Sequence, residues 1–218
     1  MSHLLMASAT AFEIAPLLKH FKVVNDKNPA HIQYGFMHHR VDVLITGVGM
    51  VNMAFAMGQV AGSSFDIAIN PGICGSFSTS LPSGSVVHVT TDMFSELGAE
   101  DGRSFLTLEQ LNLGTSVYHA LPYETPFLKT LPRVKGITVN TVHGRDESIA
   151  EIVDRLHPDV ETMEGAAFLM AVSRYNIPGL QIKAVSNMVE RRNRDSWDIP
   201  TAIARLNESL LTILKEIE

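Results

Sequence analysis

The sequence predicts an α/β protein built as a three-layer α/β/α sandwich, with a central twisted, mixed β-sheet between two layers of helices. Two patterns favour this fold class. Residues 4–8 are a short apolar run that a tight turn joins to an amphipathic segment over 11–20. Further short apolar runs alternate with helical segments, the last an amphipathic helix over 199–217. At 218 residues and 45% hydrophobic, the chain suits one domain over 1–218 with a large core.

The spacing of apolar residues predicts the helices and strands along the chain. In the first helix we expect Phe12, Ile14, Leu17 and Leu18 to face the core. Residues 94–133 look like a long irregular region, which in a compact enzyme is usually functional or interfacial. We predict further helices over 53–62 and 149–156, and further strands over 23–28, 32–39, 41–46, 66–70, 84–92, 136–142 and 180–186.

Composition and charge argue against several classes of function. The formal net charge of −6 gives no basic surface for nucleic acid. Cys74 is the single cysteine, so a reducing compartment fits. No apolar run approaches the ~18 residues of a membrane span, and we expect a soluble cytoplasmic protein. The nine histidines show no metal-ligand spacing, so we predict neither a metal nor another cofactor.

The stretch over residues 158–168 holds two carboxylates just before a run of small residues. Glu161 and Glu164 are three apart, which predicts that both lie on one face of a first helical turn. The following Gly165-Ala166-Ala167 lets a ligand or another backbone come close, and Met163 offers an adaptable apolar wall. The alternative is a solvated pair of acids that stabilises the positive end of the helix.

This stretch resembles the hallmark segment of the nucleoside phosphorylase and nucleosidase superfamily. The resemblance implies that Met163 packs on a ribose and that Glu164 binds its 2′ and 3′ hydroxyls. It also implies a purine nucleoside substrate, a nucleoside phosphorylase-like fold and a homodimer or higher homo-oligomer. In that family the region around 94–101 meets a partner subunit and closes the pocket.

Glu13 stands in the first turn of the first helix, where spacing alone favours a surface acid that suits the helix dipole. By the same resemblance, residues 9–14 match the place where nucleosidases carry the carboxylate that activates the attacking water. Phosphorylases of the superfamily instead bind phosphate with basic early loops. No Arg or Lys precedes Lys19, so the sequence favours water over phosphate as the nucleophile.

Two glycine-rich segments follow strands. Gly47-Val48-Gly49 ends in Asn52 and lacks the third glycine of a dinucleotide fingerprint, so we expect a mainly structural loop. The second segment resembles the family's loop along one edge of the purine, and the alternative for it is a plain turn. The Cys74 thiol within it is expected to be buried and inert. We assign substrate lining here to Gly72, Ile73, Cys74 and Gly75.

Asn187 follows Ser186 at the place where adenine-specific nucleosidases carry an Asp that protonates N7 of the leaving base. Hypoxanthine and guanine present the O6 acceptor beside N7, and a carboxylate would repel it. An amide donates to O6 and accepts from N7–H, so Asn187 indicates a 6-oxopurine leaving group. The alternative is a cap near a strand end.

Three arginines follow closely, within Arg191-Arg192-Asn193-Arg194. This segment resembles that of nucleosidases whose substrate carries an aromatic carboxylate, and Arg191, Arg192 or Arg194 is our candidate partner for that anion. A solvated, salt-bridged loop explains it equally well. For the whole chain, an N-glycosidic hydrolase is favoured over an adenine nucleosidase, a nucleoside phosphorylase or a non-catalytic nucleoside-binding protein.

Overall fold

The computed structural model describes residues 1–102 and 104–217. Five helices alternate with the strands: α1 Ala11–Leu18, α2 Met50–Gln59, α3 Asp146–Leu156, α4 Gly165–Arg174 and α5 Ile199–Glu216. The strands are β1 His3–Ser8, β2 Lys22–Asn28, β3 His31–Phe36, β4 His39–Ile45, β5 Ile67–Ser76, β6 Val86–Phe94, β7 Gly98–Asp101, β8 Ser104–Thr107, β9 Val117–His119, β10 Arg133–Thr138, β11 Val160–Thr162 and β12 Gly179–Met188.

The main sheet is mixed, as predicted, and runs in the order β11-β10-β6-β12-β5-β1-β4-β3-β2, with β9 added to β6. Strands β1, β4, β5 and β12 are parallel neighbours, whereas β12 runs antiparallel to β6. Strand β11 also pairs antiparallel with β5, so five strands close into a ring. This closure brings β11 and β12 to opposite edges of the last residues of β5.

Helices cover both faces of the sheet, which confirms the three-layer prediction. Successive residues of β1 point to opposite faces. Leu4 and Met6 pack with α1 and α5, and Leu5 and Ala7 pack with α2 and α4. The apolar stripe of α5 predicted from its helical spacing is buried in the first of these cores.

Helix α1 contains Pro16, which removes one backbone donor from the helix. Asn207 of α5 reaches into this region from the core. Its Oδ1 accepts from Leu17 N at 2.9 Å, and its Nδ2 donates to Glu13 O at 2.8 Å. An unbroken helix would join those two backbone groups directly. The Asn207 amide therefore bridges the two groups. It ties the turn of α1 that carries Glu13 to α5.

Several local predictions are wrong. Phe12 is 67% exposed instead of facing the core, because it lies on the outer side of a short helix. Helix α2 begins at Met50, three residues earlier than predicted, with Gly49 as its N-cap. Glu161 lies in β11 and not in a helical turn, since α4 begins only at Gly165. The region over 94–133 contains three short strands, β7, β8 and β9.

The segment from Pro71 to Ser76 is strand, which corrects the loop that the family resemblance implied for it. Strand β12 pairs with it residue by residue up to Ser76. Strand β1 pairs with β5 only as far as Ile69. The edge of β5 that faces β1 is therefore unpaired at Pro71, which has no N–H to donate there.

Candidate active site

The predicted site residues meet where parallel strands end. The loops after β1 and β4, the last residues of β5 and β12, and the turn after β11 all reach this edge of the sheet. In open α/β sheets the carboxyl ends of strands are the usual place for a ligand. Here they bring together Glu13, Gly72, Glu164 and Asn187, which are far apart in the chain.

The Glu13 carboxylate is 9% exposed and faces inward, not to solvent. Its Oε2 accepts from Thr10 N at 3.0 Å and from Thr10 Oγ1 at 2.9 Å, which completes a capping box at the start of α1. Ser8 Oγ donates to the same oxygen at 3.4 Å. Its Oε1 accepts from Ile73 N at 3.1 Å. Glu13 is thus both a helix cap and the link between α1 and the end of β5.

Lys183 is a functional candidate that the sequence reasoning missed. It lies in the middle of β12 and is 1% exposed. Its Nζ lies 2.9 Å, and Glu13 Oε1 3.1 Å, from the position that a Cβ on Gly72 would occupy. The burial of a lysine in the middle of a strand is what marks it, because buried lysines are rare unless paired.

Glu164 is the N-cap residue of α4 and is 7% exposed. Its Oε1 accepts from Gly49 N at 2.8 Å, at a glycine whose φ of 102° suits few other residues. Burial raises the pKa of Glu164, while Lys183 and the Gly49 N–H act in the opposite direction and Glu13 adds to the rise. The two carboxylates and the ammonium therefore share one electrostatic environment.

A second buried carboxylate lies beneath the start of α4. Asp92, which is fully buried, accepts from Thr138 Oγ1 at 2.9 Å and from Gln181 Nε2 at 2.7 Å. Thr138 Oγ1 in turn accepts from Ala166 N at 2.7 Å. A Cβ on Gly165 would lie 2.1 Å from Asp92 Oδ2, so only glycine fits there. This network supports the helix end that presents Glu164.

Asn187 is half-buried and pairs with Gly75 after a bulge in β12. Its Oδ1 accepts from Ser186 Oγ at 2.8 Å, and its Nδ2 donates to Met188 O at 2.9 Å. A primary amide has two acceptor sites and two donor hydrogens. One of each remains for a ligand.

Glu161 lies on the other side of Gly75, in β11, and is 4% exposed. It accepts from His143 N at 3.1 Å, and its Oε2 lies 2.7 Å from His143 Nδ1. The His143 ring meets Phe77 edge-on, with ring centroids 6.4 Å apart. These residues form a polar wall that the sequence reasoning did not identify.

The other predicted lining residues are distributed as follows. Met163 is half-buried and packs against an apolar cluster beside β10. Ile73 is half-buried at the end of β5. The Cys74 side chain points into the core, and burial raises the pKa of its thiol to about 12. The Cys74 thiol is buried, as expected, so this side chain does not line the site.

The three arginines lie on an exposed segment after β12. Arg192 N donates to Gly144 O at 3.1 Å, and the Arg192 guanidinium lies 5.4 Å from the ring centroid of Trp197. In the part of the chain that the structure describes, the arginines in ion pairs are Arg40 and Arg205 instead. The segment is therefore solvated but not salt-bridged, and it borders the His143 turn.

A cavity of about 310 Å³ opens next to Gly49, and its lining is mostly apolar. Within residues 1–102 and 104–217, no group of three or more His, Cys, Asp and Glu side chains is placed to hold a metal ion. Over the same residues, no helix has both the length and the apolar character needed to cross a membrane. The lining residues of the cavity are Met50, Phe94, Glu96, Leu97, Asn140 and Met170.

Comparison with known proteins gives the family. A family model described as the phosphorylase superfamily matches residues 4–217, and the chain belongs to this superfamily. The resemblance inferred from residues 158–168 is confirmed. Among curated proteins the chain is similar to the futalosine hydrolase of Streptomyces coelicolor, with 30% identity over 95% of this chain and 93% of the relative.

Solved structures of two activities share the fold. The futalosine hydrolase of Helicobacter pylori matches with a TM-score of 0.87 and 12% identity, over 99% of this chain and 98% of that one. The 5′-methylthioadenosine/S-adenosylhomocysteine nucleosidase of Neisseria meningitidis matches with a TM-score of 0.83 and 19% identity, over the full length of both chains. At these identities the structures support the fold and do not separate the two substrates.

The buried Asp92 predicts a pH dependence of stability. Burial, the largest effect, raises its pKa from the usual 3.8 to about 7. Between about pH 4 and 7 the folded protein therefore keeps a proton that the unfolded chain has lost, so the free energy of unfolding falls as the pH rises. In Asp92→Asn this fall should be smaller by about 2–4 kcal/mol, as measured by urea unfolding across that range.

The matched control is Asp154→Asn, which removes an exposed carboxylate of α3. This variant should keep the wild-type pH profile. In Asp92→Asn the introduced amide can still accept from Thr138, and it can donate to Gln181 Oε1 once the Gln181 amide turns over. This oxygen has no hydrogen-bond partner among the described residues, so folding should survive. An Asp92→Asn profile as steep as that of the wild type would contradict the prediction.

Proposed function

We propose that this protein hydrolyses the N-glycosidic bond of futalosine, giving hypoxanthine and dehypoxanthine futalosine in menaquinone biosynthesis. The observation that carries the proposal is the placement of Glu13 and Lys183 beside Gly72, with Glu164 held at Gly49 and Asn187 at the next glycine of the same strand as Gly72. The similarity to the Streptomyces coelicolor enzyme along nearly the whole chain supports the choice of substrate.

Glu13 is the general base in this mechanism. Its Oε1 and the Lys183 ammonium lie close together beside Gly72, at 3.1 Å and 2.9 Å from the position that a Cβ would occupy. A water molecule there can donate to the carboxylate and accept from the ammonium. The carboxylate orients the water and takes its proton as the oxygen attacks the anomeric carbon.

Glu164 binds the ribose hydroxyls. Its Oε1 is held by Gly49 N, which leaves Oε2 to accept from the sugar. Two carboxylates facing one ammonium leave the site net negative. That field stabilises the positive charge that develops on the ribose as the glycosidic bond breaks. Met163, next to Glu164 and half-buried, supplies the apolar contact for the sugar ring.

The geometry favours water over phosphate. The early loop offers Thr10 N, and the end of β5 offers Ile73 N, as donors for an anion. Both already donate to the Glu13 carboxylate. A phosphate entering this space would meet a negative charge instead of free N–H groups. The only cation in the described part of the cluster is Lys183, which lies beside Glu13 and lowers the pKa of Glu164.

Asn187 stabilises the leaving base. As the glycosidic bond breaks, its electron pair goes to the purine and N7 takes a proton from solvent. The remaining donor of Asn187 suits O6, and its remaining acceptor suits the N7–H so formed. Hydrogen bonds of this kind, formed as negative charge develops on the departing purine, lower the barrier to bond cleavage. No metal or other cofactor takes part in the proposed reaction.

The proposal is tested by base release from futalosine, inosine, aminofutalosine and methylthioadenosine, each with and without phosphate. We expect phosphate-independent release of hypoxanthine from futalosine and no reaction of methylthioadenosine. Glu13→Gln should lower kcat by roughly 10²–10⁴-fold, because the general base is lost. Chromatography of the products identifies the base directly.

Each other outcome identifies a rival function. Adenine release from methylthioadenosine would mean that the protein belongs with the adenine nucleosidases. A requirement for phosphate would indicate a phosphorylase. Tight nucleoside binding without turnover would indicate a binding protein, and Glu13→Gln would then have no catalytic effect to show.

The arginine segment generates a separate prediction. The aromatic carboxylate of futalosine needs a cationic partner, and we propose Arg191, Arg192 or Arg194 for this role. Replacing all three with Ala should raise KM for futalosine by roughly 10-fold or more, as expected for the loss of a hydrogen bond to a charged group. Inosine lacks this carboxylate, and its KM should be unchanged. Equal effects on both substrates, or none, would exclude the role.

We also propose a homodimer formed through α2. Its outer side exposes Val51 (75% exposed) and Phe55 (69% exposed), and Val48 precedes it on the same surface at 51%. Apolar clusters of this kind mark protein interfaces. Light scattering should give about twice the 23.9 kDa chain mass, and Phe55→Glu should give monomers. The control Val24→Glu, on an exposed residue of β2, should stay dimeric. A wild-type mass of one chain would contradict the proposal.

A further inference from the structure

The last residues of β5 lie between two strands that carry polar side chains. Glu161 of β11 is in register with Gly75 on one side, and Asn187 of β12 is in register with Gly75 on the other. Neighbouring strands are about 4.7–4.9 Å apart, so the two outer backbones are only about 10 Å apart. Residues opposite each other in a sheet also share a face.

The side chains converge over this glycine. Asn187 Nδ2 lies 3.4 Å, and Glu161 Cγ 3.5 Å, from the position that a Cβ on Gly75 would occupy. Val189 Cγ2 lies 2.8 Å from the same position, which explains why only glycine fits. An amide and a carboxylate are therefore neighbours at one end of the candidate site.

Glu161 is held firmly by the turn after β10. It is 4% exposed, and its partners are the backbone N–H and the ring Nδ1 of His143. An ionised carboxylate has about four acceptor sites. These contacts do not use them all, so Glu161 keeps the capacity to accept one more hydrogen bond from a ligand.

The edge of a 6-oxopurine offers N7, O6 and N1–H in sequence. Asn187 suits the first two, and the third is a donor that requires an acceptor. A carboxylate beside Asn187 meets that requirement. In adenine N1 carries a lone pair, so the same carboxylate would face another acceptor in a buried site. Such a mismatch leaves polar groups unpaired, which strongly disfavours the wrong base.

We propose that Glu161 is a specificity-determining residue that accepts a hydrogen bond from N1–H of a 6-oxopurine base, with His143 as the positioning residue that orients it. This inference rests on the proposed function and deepens it. It assigns the selection of the base to two strands that flank Gly75, independently of the groups around Gly72 that act on the ribose and the water.

The test compares binding of three free bases, hypoxanthine, 1-methylhypoxanthine and adenine, by calorimetry. The wild-type protein should prefer hypoxanthine over both others, because only hypoxanthine has N1–H and no methyl group there. Glu161→Gln should lower hypoxanthine affinity roughly 10–100-fold. Its amide can donate to N1 of adenine, so adenine affinity should hold or rise. The kcat/KM for futalosine should fall by the same factor as hypoxanthine affinity.

Two further variants separate recognition from structure. Glu208→Gln makes the same charge change at a carboxylate that is 68% exposed on α5, and it should bind as the wild type does. His143→Ala should weaken hypoxanthine binding less than Glu161→Gln, with the preference over adenine partly kept. If Glu161 only held the His143 turn, both variants would weaken hypoxanthine and adenine equally, and the inference would be overturned.

Failure of the inference is distinguishable from failure of the proposed function. A protein that releases no base from futalosine disproves the proposed hydrolysis, yet its preference among free bases still tests Glu161. A hypoxanthine preference that survives Glu161→Gln in a variant with the wild-type melting temperature overturns the inference. So does equal or undetectable binding of hypoxanthine and adenine to the wild-type protein.

Discussion

The rest of the site depends on a buried ammonium group. Lys183 is 1% exposed in the centre of β12. A charge removed from water in this way is costly unless opposite charges surround it. Three carboxyl groups either lie beside Lys183 or have a pKa that it lowers. They are Glu13 of α1, Asp92 of β6 and Glu164 at the start of α4. Lys183 lies beside Glu13 and lowers the pKa of Asp92 and Glu164, so one side chain acts on carboxyl groups from three distant parts of the chain.

Two of these carboxylates, Glu13 and Glu164, are also held in place by backbone N–H groups. Glu13 is held by Thr10 and Ile73, and Glu164 is held by Gly49. Each of these donors lies just after, or near the end of, a parallel strand. The site is thus preorganised by the sheet, which matters because a charged group that has already been oriented costs no reorganisation during the reaction.

Sequence reasoning predicted the layers well and the site unevenly. The apolar run of β1 and the apolar spacing of α5 are local patterns, and the structure confirms both. Spacing alone would have left Glu13 on the surface, and only the family resemblance placed it in the site. Glu161 was assigned to a helical turn because nothing local reveals that β11 pairs with both β5 and β10.

The end of β5 was also misassigned, for the same reason. A Pro and two Gly within six residues indicate a turn when they are considered alone. Their strand conformation depends on β12, which lies more than a hundred residues later in the chain. Lys183 was not predicted as a site residue because a single lysine in a strand is unremarked unless its side chain is known to be buried. The features that could not be predicted are therefore those that depend on contacts between residues distant in the sequence.

Strand β5 separates the groups that act on the water from those that bind the base. Its two glycines are three residues apart, or about 10 Å along an extended strand. At Gly72 the missing side chain lets Glu13 and Lys183 approach the backbone, and at Gly75 it admits Asn187, Glu161 and Val189. A side chain at either position would displace the groups that act on the ligand. The base and the attacking water need different chemistry on opposite sides of the ribose. One strand that lacks side chains at two separate points can hold both sets of groups without either set displacing the other.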